Sequence, residues 1–173
     1  MWHEERLLID GLLRDARGGG RYPVVNPATE EVVGSAADAA PDDVDAAVAA
    51  ARRAFDDTDW AFDVDRRLQG LEQLHRALVD HTDALTDITV VEVGAPRMAC
   101  STVQVAEPLS FLPYYIDVAR AFAWRQDLGE PHTLGGRARR WVEREPVGVV
   151  GAITPWNVPT QINLAKIVPA PVS

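Results

Sequence analysis

Glu145-Pro146-Val147-Gly148-Val149-Val150-Gly151-Ala152-Ile153-Thr154-Pro155-Trp156-Asn157-Val158-Pro159 is the stretch whose reading decides the fold. From Val147 to Ile153 it is β-rich and almost wholly apolar, the pattern of a strand covered on both faces, and the polarity changes abruptly at Thr154. In open α/β sheets ligands bind beyond the C-terminal ends of such strands, which is where Thr154-Pro155-Trp156-Asn157 would sit. Pro159 suits the first turn of a helix running through Ile162, Leu164, Ala165, Ile167 and Val168. The Asn157 carboxamide offers two N–H donors to a developing oxyanion and cannot change charge with pH. The same residue type also caps helices, so catalytic donor and N-cap are both open on spacing alone. Gly148-Val149-Val150-Gly151 is not a G-x-G-x-x-G fingerprint.

Upstream, Leu7 to Ile9, Tyr22 to Val25 and Val32 to Ser35 read as short strands broken by Gly18-Gly19-Gly20 and Asn26-Pro27, an antiparallel arm over residues 1–36. Pro41 opens a helix with Asp42 and Asp43 at its positive end, and Val44, Ala47, Val48, Ala51 and Phe55 recur at helical spacing, which predicts one buried face. Asp63 is placed to cap a second helix carrying Leu68, Leu71, Leu74 and Leu78, and Thr82 a third that ends at Gly94, as a hairpin or a bent long helix. Ala95 to Arg125 is also helical in pattern, with a break expected near Pro108. The helical region thus spans 41–126. Arg137 to Glu145 reads as one strand and 147–170 as the start of a second sheet.

Leu8-Ile9-Asp10-Gly11, Val25-Asn26-Pro27-Ala28-Thr29-Glu30-Glu31-Val32, Asp43-Val44-Asp45-Ala46-Ala47-Val48, Ala50-Ala51-Arg52 and Ala54-Phe55, followed by Thr154-Pro155-Trp156-Asn157, stand in one order along the chain. In this it resembles the NAD(P)-dependent aldehyde dehydrogenases over residues 7 to 170. The resemblance implies an α/β fold: antiparallel N-terminal strands, helices, and the first strand of an incomplete Rossmann-like parallel sheet. It implies oxidation of an aldehyde to a carboxylic acid with NAD or NADP in the complete protein. In that family the asparagine matching Asn157 donates to the oxygen of the thiohemiacetal formed when a cysteine attacks the aldehyde. Ile153, Thr154, Pro155 and Trp156 match positions along the nicotinamide side of the cofactor. Lys166, the only lysine in the chain, matches a lysine near the site. Trp156 also reads as a core aromatic and Lys166 as a solvated helix residue.

The family's nucleophilic cysteine, general-base glutamate and adenosine-side residues would follow residue 173. The chain is therefore expected to be an N-terminal piece, inactive alone and weak in cofactor affinity. The alternative function is a non-catalytic interaction module, paired with a full-length relative or a separately encoded C-terminal half. Homo-oligomerisation through the 137–145 strand is implied by the family.

With 173 residues, 47% hydrophobic and 25% charged, the composition is that of a folded domain. A net charge of −9 argues against nucleic acid or an anionic membrane as partner. The cluster Arg137, Arg139, Arg140 and Arg144 reads as a solvated edge strand. Pro146 to Ala165 carries no charge, but its prolines and amides are wrong for a membrane span. Cys100, the single cysteine, permits no internal disulfide and fits a reducing cytoplasm. It stands before the cofactor strand, where it reads as a small buried hydrophobe, not the nucleophile. His3, His75, His81 and His132 have no metal-ligand spacing, and Asp56-Asp57-Thr58-Asp59 lacks the remainder of a calcium loop.

Overall fold

The computed structural model describes residues 4–172. His3, one of the histidines considered above, lies outside them. The architecture is α/β, with four two-stranded antiparallel ladders around a helical core. The arm holds two hairpins, β1 (Leu7–Ile9) with β2 (Leu12–Arg14) and β3 (Arg21–Val25) with β4 (Val32–Ala37). The second strand was not foreseen. All three of its residues are exposed, so it shows no alternation of inward and outward positions.

Helix α1 (Pro41–Asp56) begins at the expected proline. Its buried side differs from the predicted one: Asp43 and Ala50 face inward, while Val44 and Val48 are exposed. The apolar stripe is real, but β1 and the short turn Asp59–Ala61, which pack on this helix, leave Val44 and Val48 open.

Helix α2 (Val64–Asp80) is capped by Asp63, whose Oδ1 accepts the Arg66 N–H at 2.9 Å. Helix α3 (Thr82–Val93) follows after the single residue His81, at φ −107° and ψ 15°. One such residue cannot reverse the chain, so the pair is a bent helix. Thr82 does not cap it: its hydroxyl donates back to the Val79 carbonyl at 2.7 Å. Gly94, at φ 68°, closes α3 in the left-handed region as expected.

The break expected near Pro108 is spread over a longer stretch. After α4 (Arg97–Ala99), residues Cys100–Ala106 form a π-helical segment, where the Glu107 N–H reaches back five residues to the Thr102 carbonyl. Then come α5 (Glu107–Ser110), Phe111, and α6 (Leu112–Ala121). Each proline sits second in its segment, where its missing N–H costs little. The wide π turn relieves the clash of the Pro108 ring with the preceding turn.

Arg137 to Glu145 is not one strand. It is the returning leg of an exposed hairpin: β5 (Arg125–Asp127) pairs with β8 (Trp141–Glu143), and β6 (His132–Thr133) with β7 (Gly136–Arg137) at its tip. Residues 147–153 adopt no regular secondary structure. A strand exists only where a neighbour satisfies its backbone groups, and among the described residues no strand lies beside this one. Gly148, at φ 100° with Arg52 of α1 against it, also takes the chain out of extended geometry. Finally α7 (Pro159–Ile167) packs Leu164, with Val168 just beyond, into the core of Leu68, Leu71, Val105, Leu109, Leu112 and Ile116.

Candidate functional site

Helix α7 is anchored at its far end and open at its near end. Leu164 and Val168 are buried, and the Ile162 N–H donates to the Val158 carbonyl at 3.1 Å, so the turn Thr154 to Val158 stands on a fixed helix. Val158 is the N-cap and no side chain caps it. Asn157 is exposed, is not the helix cap, and its carboxamide makes no hydrogen bond among the described residues. It adjoins the end of α7 where the first amide groups lack intrahelical partners and the helix dipole is positive, a suitable place for a developing oxyanion.

Ile153 is 94% exposed and Trp156 86% exposed, so Trp156 is not a core aromatic. Thr154 is half-buried and Pro155 exposed. Lys166 is exposed in the last turn of α7. Seven residues separate it from Pro159, about 10 Å along the axis at the helical rise. The five consecutive residues 153–157 therefore share one exposed turn, while Lys166 stands further along the helix. None of the six lines either of two cavities in the fold. One, about 510 Å³, lies between the β3–β4 hairpin and the α2–α3 helix. The other, about 450 Å³, lies where Phe55, α2 and the β5–β8 hairpin meet.

Cys100 is fully buried, and its thiol donates toward the Ala95 carbonyl at 3.6 Å. Burial pushes it above the usual thiol range, and Arg97 only partly offsets this. It is a poor nucleophile at neutral pH. Among the described residues no group of three potential ligands can hold a metal ion, and no helix is long and apolar enough to cross a membrane.

Sequence reading passed over Arg67. It closes the charged run Asp65-Arg66-Arg67, so nothing in the local sequence marks it as buried. Arg67 is buried, its Nη1 donates to the Trp60 and Ala61 carbonyls at 2.8 and 2.9 Å, and its guanidinium lies 5.9 Å from the Trp124 ring centre.

The model of the aldehyde dehydrogenase family matches residues 14–173. The chain is 34% identical over 171 residues to the chloroplastic betaine aldehyde dehydrogenase of Atriplex hortensis, covering 95% of this chain and 34% of that protein. It is 35% identical over 167 residues to the aminoacetaldehyde dehydrogenase of Pseudomonas aeruginosa, covering 96% and 33%. The aldehyde dehydrogenase of Mycobacterium tuberculosis, solved in complex with NAD+, has the same fold with a TM-score of 0.85 at 33% identity, over 98% of this chain and 34% of that one. The chain thus spans about a third of the length of the curated relatives it matches. A match over nearly every residue, on a shared fold, means that this chain belongs to the aldehyde dehydrogenase family.

Proposed function

We propose that this chain supplies the oxyanion-stabilising turn of an NAD(P)-dependent oxidation of an aldehyde to a carboxylic acid. The uncommitted Asn157 carboxamide at the open end of α7 is the observation that carries the reading. Its role is to donate an N–H to the aldehyde oxygen as negative charge builds there, reinforced by the amide groups of the first turn of α7. Ile153, Thr154, Pro155 and Trp156 fit the nicotinamide side of a dinucleotide, since their exposed surface is free to be covered. Lys166, further along α7, is assigned to the same dinucleotide as its cation. When bound, the dinucleotide supplies the hydride acceptor. The buried thiol of Cys100 supplies no nucleophile, so the chain alone is inactive. The protein works in the cytoplasm, and the β5–β8 hairpin serves homo-oligomerisation.

The test is a chimera in which this chain replaces the matching third of the Pseudomonas aeruginosa relative. It should reduce NAD with an aldehyde, and Asn157→Ala should lower kcat by about 10²–10³ with KM little changed. An equal loss for Asn157→Ala and a distant surface substitution would refute the assignment. A second reading, a non-catalytic module docked on a full-length relative or a complementary C-terminal half, is favoured by the unpaired stretch 147–153. Co-purification of this chain with the remaining two thirds of the relative, in the absence of turnover, would support it.

A further inference from the structure

The cavity of about 510 Å³ separates the β3–β4 hairpin from the bent helix α2–α3. It exists because several of the facing side chains are small. On the hairpin Val24 pairs with Gly34, so the two share one face, and Ala36, two residues on, shares it too. On the helix Ala84 stands beside Leu85 and Ile88. Leu85, Ile88 and Glu92 follow the i, i+3, i+7 spacing of one helix face, so the Glu92 side chain leaves α3 on the cavity side. The residue as a whole is exposed and therefore open to a ligand, yet its carboxyl is desolvated enough to be pushed above the usual range.

The other polar groups of the lining are engaged. Both Glu4 oxygens accept from Arg6, at 2.6 and 2.7 Å, the Ser35 hydroxyl donates to Glu5, and His81 Nδ1 lies 2.8 Å from the Ala77 carbonyl. Glu92 alone of the lining carboxylates makes no hydrogen bond or ion pair among the described residues. An apolar chamber with one uncompensated negative charge is complementary to a monocation with an apolar body. No aromatic ring lines it, so it lacks the cage that a quaternary ammonium group takes. A single carboxylate also falls short of the several oxygens that a hard metal ion takes. A primary ammonium group, which donates hydrogen bonds to a carboxylate, fits what is there.

We propose that this cavity binds a small aliphatic primary amine, its ammonium group donating to the Glu92 carboxylate and its hydrocarbon chain lying against Val24, Leu85 and Ile88. The site contains no residue of the turn at 153–157 and does not depend on the oxidation proposed above.

Calorimetric titration of the 173-residue chain with n-hexylamine, n-hexanol and potassium chloride tests it. Hexylamine should bind saturably at one site, hexanol about tenfold more weakly, and potassium at equal concentration should not displace the amine. Glu92→Gln keeps the shape and removes the charge, and should weaken hexylamine about tenfold while leaving hexanol unchanged, the scale of one hydrogen bond to a charged group. Ala84→Leu, which fills the chamber with an equally good helix former, should abolish saturation by both. Circular dichroism shows whether each variant folds, and Glu92→Gln decides the matter if Ala84→Leu does not. Absence of saturable hexylamine binding into the millimolar range, equal binding of hexanol, displacement by potassium, or unchanged affinity in Glu92→Gln would each overturn the proposal.

Discussion

The Asp43 carboxylate accepts the backbone N–H of Arg17 at 3.0 Å, across 26 positions of sequence. The same oxygen accepts the Ala40 N–H at 2.9 Å, while the Asp43 N–H donates to the Ala40 carbonyl at 2.9 Å. One buried side chain therefore closes the start of α1 and ties the arm to it. Ala40 has no side-chain oxygen to return the bond, so Asp43 makes the cap alone.

Asp43→Ala leaves two amide groups of the arm and cap without their acceptor. It should cost about 1–3 kcal/mol, the range for stranding buried donors. Urea denaturation checks this. Asp42→Ala is the control: Asp42 only pairs with Arg17 at the exposed surface, where an ion pair contributes about 0–1 kcal/mol. Equal losses for the two variants would contradict the account.

Gly94 ends α3 against the Asn26-Pro27 turn. At φ 68° a side chain is strained, and a Cβ there would lie 2.8 Å from the Pro27 Cγ and 3.1 Å from the Ala28 N. Gly94→Ala should destabilise by about 1–2 kcal/mol from the backbone alone, with the clash in addition. Gly129→Ala, also left-handed at φ 76° but with open space around it, separates the two contributions: thermal melting should show Gly94→Ala as the worse.

Helix ends were legible in the sequence wherever a local group makes them. Pro41, Asp63, Gly94 and Pro159 each act within one turn, and all four stand where expected. Buried faces and strand pairing were less legible, because they depend on what packs from a distance. Val44 and Val48 have helical spacing but no element over them, and the apolar run 147–153 has strand composition without a strand beside it. At the candidate site, Asn157 was singled out by its motif, and the structure adds that it does not cap α7. Arg67 was missed because its neighbours in space, Trp60 and Trp124, come from two separate segments.

Glu92 lines the cavity of about 510 Å³, and although the residue as a whole is exposed, partial desolvation of its carboxyl pushes it above the usual range. An acid whose folded pKa exceeds its unfolded one binds more protons when folded, so stability falls as pH rises through the interval between the two and stays lowered above it. Below the unfolded value, about 4.3, no penalty remains. Glu92→Gln should therefore stabilise the chain at neutral pH and lose that advantage under more acidic conditions. Denaturant midpoints at both ends of the range check the sign.

The last expectation concerns residues 147–156, where strand-type sequence lacks strand structure. Val147 is 83% exposed, and Ile153 and Trp156 more so. An unpaired backbone exchanges its amide hydrogens with water without any opening step, whereas core helices exchange only through larger openings. Hydrogen exchange should therefore be rapid across Val147 to Ile153 and slow across Leu68 to Leu78, although both segments are rich in apolar residues. The exposed side chains also form a surface ready for a partner strand, so adding the C-terminal two thirds of a relative should slow exchange at 147–153 while leaving α2 unchanged. Slow exchange at 147–153 in a chain shown to be monomeric would mean that the segment pairs within the molecule, contrary to its open arrangement here.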